Sequence, residues 1–266
     1  MTDSAEPAAD AQWRDRVVRT LAQSVTMLVD LAPQASSASF GALRAVWTGL
    51  PVPSFNTAIA VDQLTAADAD DLAAAVAWLA GRGLPHSVQL TDGRDDDAVP
   101  AVLACGLVAD EELPGMLLDL DPTAVTSAGT AGALEIRAVE DDHSRAEHCA
   151  VLSSGFGMPP EWPAALLADV VPPPAGLALL TGYVGAEPVA VAAANVVGDT
   201  VAVFNVATLP EHRRRGYGAA MTSAAVRYGA ARGCTAAVLQ ASDAAHAGYR
   251  RLGFRDVARS RVYICG

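Results

Sequence analysis

Apolar and polar positions follow two different periods along this chain. From Trp13 to Leu31 apolar residues recur at helical spacing, which predicts an amphipathic helix. Ser54–Asp62 (SFNTAIAVD) reads as a strand. Leu64–Gly81 reads as a helix, with Thr65 as its N-cap and Gly81 to Gly83 ending it. A strand at His86–Leu90, a short helix at Asp96–Cys105 ending at Gly106, and a strand at Met116–Leu120 come next. Asp121–Ala133 (DPTAVTSAGTAGA) is small, polar and without period, the composition of a linker.

The second half opens with a strand at Leu134–Arg137 and a helix at Asp141–Ser154. Gly155–Gly176 is proline-rich and irregular, with a short helix around Pro163–Asp169. Leu177–Val184, Val189–Val197 and Thr200–Thr208 predict a three-strand meander. After a loop and a helix come a strand at Thr235–Gln240, a helix at Ala244–Leu252 and strands at Phe254–Val257 and Ser260–Cys265. Each half thus runs strand, long helix, strand, short helix, glycine, strand. That repeated order predicts an internal duplication of a mixed α/β sheet fold, with lobes at 1–125 and 134–266 and a linker at 126–133.

Composition narrows the chemistry. The chain has 266 residues, 52% of them hydrophobic, and a mean hydropathy of +0.26, enough to bury a sizeable core. Its longest apolar region, Gly176–Leu209, is broken by turn signals at Gly185–Pro188 and Gly198–Asp199, so strands are expected there and no membrane span. The first ten residues lack the basic and apolar regions of a signal peptide, and a cytoplasmic location is expected. The formal net charge is −12, which argues against a nucleic-acid-binding surface. All 18 basic residues are arginine, so a lysine-dependent phosphate loop or Schiff base is excluded. From Glu211 onward ten arginines face only three acids, Glu211, Asp243 and Asp256, which points to an anionic guest in that region. The four cysteines form no CxxC pair and the five histidines no HExxH, so buried reduced thiols and no metal are expected.

The guest's site is PEHRRRGYGAAM, Pro210–Met221. A strand that ends in a glycine loop and opens a helix directs backbone N–H groups and the helix dipole at an anion. Gly216 and Gly218 let the backbone approach closely, and the arginines add charge-assisted hydrogen bonds. A dinucleotide fingerprint would need a third glycine where Met221 stands. The pattern Arg213-x-x-Gly216-x-Gly218 after a strand resembles the acyl-CoA loop of the GCN5-related N-acetyltransferases (the GNAT superfamily). LQASDAAHAGYRRLGF, Leu239–Phe254, resembles that family's closing segment, in the right order. The resemblance covers about Leu134–Gly266. The first half resembles a degenerate copy without the loop, as in tandem members.

The resemblance implies acetyl-CoA as the cosubstrate and a role for each matching residue. By that likeness, Asn205, Val206, Ala207 and Thr208 lie on a bulged strand holding the pantetheine arm, with the Val206 amide aimed at the acyl oxygen. The pyrophosphate sits on the amides of Arg213, Arg214, Arg215, Gly216, Tyr217, Gly218 and Ala219. Ser242 contacts the cofactor, and Tyr249 is the acid that protonates the leaving thiolate. Phe156, Met158, Glu161 and Trp162 are expected to line the site of an amine acceptor, a small molecule or a peptide. Many relatives carry a strand glutamate as base, whereas here Phe204 and Asn205 stand on that strand. A water chain, Glu161, Asp199 and His212 stay open as alternatives. With no cysteine in the motif, direct attack in a ternary complex is expected, in a monomer or homodimer. The alternative function is a non-catalytic acyl-CoA-binding sensor or interaction module.

Overall fold

The computed structural model describes residues 8–120 and 134–265, so the linker reading falls outside the described residues. The first half comprises α1 (Ala8–Leu31), β1 (Ser36–Phe40), β2 (Leu43–Trp47), β3 (Asn56–Ala60), α2 (Ala69–Ala80), β4 (Ser87–Thr91), α3 (Val99–Ala104) and β5 (Leu107–Asp119). The second comprises β6 (Leu134–Ala138), α4 (Asp142–Phe156), α5 (Glu161–Leu166), β7 (Leu177–Val184), β8 (Glu187–Val197), β9 (Thr200–Thr208), α6 (Tyr217–Ala230), β10 (Ala236–Gln240), α7 (Asp243–Arg251) and β11 (Arg255–Cys265). The repeated order is visible as β3-α2-β4-α3-β5 against β9-α6-β10-α7-β11.

Helix boundaries follow their caps. The Thr65 hydroxyl accepts from the Ala67 amide, and the Asp68 carboxylate accepts from the Thr65 amide, a reciprocal capping box ahead of α2. Asp141 and Ser144 make the same arrangement at α4, which ends at Gly157 in the left-handed region.

Three strand readings need correction. The β1–β2 hairpin was not expected, because Ser36–Phe40 (SSASF) buries no residue fully and shows no apolar alternation. β5 starts at Leu107, nine residues before Met116, since Val108–Glu112 is exposed and charged. The two terminal strands are one, β11, with a register shift between Asp256 and Ala258 that breaks the alternation.

Among the described residues the strands form one sheet of eleven, in the order β1-β2-β3-β4-β11-β5-β10-β9-β8-β7-β6. The halves do not sit side by side as separate sheets. Their last strands have changed places: β11 pairs antiparallel with β4, and β5 pairs antiparallel with β10. The cores record the exchange. Tyr263 of β11 packs with Leu43, Leu64, Leu72 and Leu79 of the first half. Met116 of β5 and Leu120 just beyond it pack with Met221, Leu239 and Phe254 of the second.

Each face of the second half's sheet carries helices. α6 covers Val189, Ala190, Ala192, Ala194 and Val201 on one face, and Gly229 is needed there because a Cβ would come within 2.4 Å of the Val201 side chain. α4 and α5 cover the other face around Leu179, Val191 and Ala207. α1 crosses the sheet's middle on that same side and joins the halves. Its Val17 packs on Leu117, Ala202 and Val238, its Asp15 pairs with Arg94, and its Arg16 binds Thr200, Asp199 and Thr235.

Candidate acyl-transfer site

The site begins where β9 stops being regular. Val191 stands opposite Ala207 and Ala193 opposite Phe204, so Ala192 alone faces both Asn205 and Val206. That extra residue is a β-bulge, which leaves backbone groups off the ladder and turns the strand. Asn205 absorbs it with φ of 53°, a left-handed torsion that asparagine tolerates better than most residues. β9 and β10 run parallel for three residue pairs only, Thr200–Ala236 to Ala202–Val238, and part before the bulge.

Beyond Thr208 the chain makes a 3₁₀ turn at Pro210–His212 and enters α6 through Arg214 (φ 64°) and Gly216 (φ 82°). Gly216 is the N-cap, and open space lies where its Cβ would be. No side chain caps α6, and its first turn carries no acid. The helix therefore presents its first amides, and the positive end of its dipole, unsatisfied by side chains.

The arginines divide their work. Arg213 donates to the carbonyls of Thr208 (3.2 Å) and Gly155 (2.8 Å), pinning the loop between β9 and the end of α4. Arg215 donates to the Glu211 carbonyl at 3.2 Å. Tyr217 is buried in the core beside Met221 and lies against His212.

Asn205, Val206, Ser242 and Tyr249 meet at one cavity of about 290 Å3, together with Phe204, Gln240, and Leu21 and Val25 of α1. Phe156 stands at its rim, 54% exposed. Tyr249 is half-buried on α7, edge-on to Phe254 at 6.0 Å. Burial raises its phenol above the ordinary 10, with the Thr222 hydroxyl pulling the other way, so the group is protonated at neutral pH.

Of the expected acceptor residues, Met158 lines an adjoining cavity of about 220 Å3. Trp162 instead packs edge-on against Phe55 of the first half at 6.4 Å. Glu161 is exposed and lines neither cavity. Two other candidate bases also lie away from the bulge. Asp199 precedes β9 at its opposite end, paired with Arg16 at 2.8 Å. His212 is 3.5 Å from Glu187 and packs on Tyr217. Ala207 is buried against the α4 side, while Thr208 lies beside Gly218. Cys149 and Cys234 are buried, but Cys105 and Cys265 are only partly so.

Sequence reasoning missed α1's part in the site. Leu21, Val25 and Leu28 look like any core-facing stripe, and nothing local says which core a helix covers.

Residues 136–254 match the family described as "Acetyltransferase (GNAT) family". No curated protein matches the chain. Among solved structures, a GCN5-related N-acetyltransferase from Kribbella flavida is similar with a TM-score of 0.72 at 19% identity, over 94% of this chain and 95% of that one. A tandem GNAT protein from the clavulanic acid biosynthesis pathway gives 0.62 at 15% identity, over 98% and 95%. A GCN5-related N-acetyltransferase from Sphaerobacter thermophilus gives 0.59 at 14% identity, over 96% and 92%. At such identities these three likenesses establish the fold, across nearly the whole chain.

Proposed function

Because residues 136–254 belong to the acetyltransferase (GNAT) family, we propose that the protein transfers acetyl from acetyl-CoA to an amine of a small molecule or peptide. The observation that carries this reading is the pairing of an uncapped helix N-terminus with a strand bulge. α6 offers free amides to a pyrophosphate, and the bulge beside it shares a cavity with a protonated phenol.

The loop from Arg213 to Ala219 binds the donor's phosphates through backbone amides, with Arg213 holding the loop's shape. The Val206 amide, freed by the bulge, donates to the thioester carbonyl oxygen where negative charge develops. The amine attacks the carbonyl carbon directly, the C–S bond breaks, and the Tyr249 hydroxyl delivers a proton to the departing sulfur. Ser242, at the start of α7, supports the donor from the far side of the splay.

A second reading, an acyl-CoA-binding module without turnover, draws on one observation: among the described residues no carboxylate or imidazole lines either cavity to act as base. Calorimetry with acetyl-CoA and a thiol-release screen over amines separate the two. Binding with amine-dependent thiol release supports transfer. Binding without release from any amine supports the module, and no binding removes both.

A further inference from the structure

The two cavities at the bulge share Leu21, Val25, Phe204 and Asn205, so they adjoin. The inner one carries neutral polar groups, among them Gln89, Gln240, Ser242 and Tyr249. The outer one is walled by Leu28, Phe55, Leu152, Met158, Leu166 and Leu167. Among the described residues no Asp, Glu, Arg or His lines either, in a chain with 30 acids and 18 arginines. The outer cavity lies under α1, α4 and α5, across the sheet from α6.

Resting on the transferase reading, we infer that the acceptor is a monoamine with a single-ring or short branched apolar body, bound as its free base. The cavity's size sets the body. An apolar cavity of about 150 Å3 takes a benzene ring, so 220 Å3 takes one ring and a short linker. Its chemistry sets the charge state. An ammonium entering a site without a carboxylate loses its hydration uncompensated, and the amine sheds its proton to water first. The absent base is thereby accounted for. The neutral nitrogen forms the C–N bond, its surplus proton leaves to solvent, and the sulfur takes one from Tyr249. α1 and Phe55 make acceptor choice partly a property of the half that lacks the anion loop.

The test compares kcat/KM for 2-phenylethylamine and 1,5-diaminopentane in the wild type and in Leu166→Phe and Leu28→Glu, with acetyl-CoA calorimetry on each protein. The wild type should favour 2-phenylethylamine by about a hundredfold, as an unpaired buried ammonium demands. Its log kcat/KM should rise with pH up to the amine's own pKa. Leu166→Phe should lower kcat/KM for the aromatic amine about tenfold by filling the cavity, with acetyl-CoA affinity within about twofold because Leu166 lines the outer cavity and not the inner one. Leu28→Glu should shift preference toward the diamine. Equal or better use of the diamine by the wild type would overturn the acceptor assignment while leaving acetyl transfer standing. So would loss of hexanoyl-CoA turnover in Leu166→Phe with the amine preference unchanged, since the cavity would then hold the donor's chain. Absence of acetyl-CoA binding by the wild type would remove the transferase reading and this inference together.

Discussion

β3 and β4 run parallel for three residue pairs, Thr57–Ser87 to Ile59–Gln89, just as β9 and β10 do. In each pair the first strand then leads through a loop into a long helix. In the first half the chain supplies its own anion at that point. The buried Asp95 carboxylate accepts from the amides of Leu64 (3.0 Å) and Thr91 (2.9 Å) and pairs with Arg94, which also bonds the Val61 carbonyl. A 3₁₀ turn with the Thr65–Asp68 capping box then leads into α2, whose first turn carries Asp70 and Asp71. In the second half α6 starts from Gly216, uncapped and without acids, behind three arginines. One architecture places carboxylates at the entry to its helix and the other leaves the helix start open. The difference rests on a few residues at the strand ends, with the sheet unchanged.

The contrast breaks most visibly at Asp95. Asp95→Ala leaves Arg94 buried and two amides unpaired, and should cost about 3–5 kcal/mol in denaturant unfolding. Arg213→Ala, on exposed bonds, should cost under about 1 kcal/mol by the same measurement.

The halves also bury different polar groups. Where the first has an ion pair, the second has His148, fully buried, with Nδ1 3.2 Å from the Thr181 hydroxyl. Burial pushes its pKa from 6.5 to about 4. Its folded pKa is depressed, so its contribution is complete above pH 6.5 and is lost as pH falls toward 4, because the unfolded chain binds the proton first. The loss should reach about 3 kcal/mol at pH 4, and His148→Gln should flatten that part of the stability profile.

Giving α6 a carboxylate of its own would make the second half imitate the first. Gly216→Glu should weaken acetyl-CoA binding about a hundredfold by like-charge contact, read by calorimetry. Tyr249→Phe should leave that binding unchanged and lower kcat about a hundredfold. Because the phenol is held above 10, wild-type kcat should not decline on the alkaline side below pH 10. The smallest effect falls at the imitated site: Thr65→Ala should cost about 1 kcal/mol of stability without touching donor affinity.

Local signals were legible because they are local. The Thr65 cap and the meander each declare themselves within a few turns of chain and stand where they were read, and the Arg213–Gly218 segment lies between a strand and a helix as expected. The bulge at Asn205 could be anticipated only through a family likeness, since no composition marks it. What stayed hidden is long-range. β1 carries no apolar period, half of β5 is charged, and the strand exchange is written in no segment at all. The wall of both cavities needed α1, whose apolar stripe is compatible with covering either half. Among the candidate bases, Asp199 and Glu161 have the right chemistry but line neither cavity, because one sits in the β8–β9 turn at the far end of β9 and the other at the exposed start of α5.

The exchanged strands make the half without an anion loop indispensable to the half with one. Both neighbours of β11, β4 and β5, come from the first half, and both neighbours of β5, β11 and β10, contain second-half residues alone. A gene fragment encoding only the second half, from β6 through β11, would yield a product whose final strand lacks both of its neighbours and whose β10 offers a bare edge to other copies. Trimming the protein to its second half would remove the two strands, β4 and β5, on which its last strand is laddered.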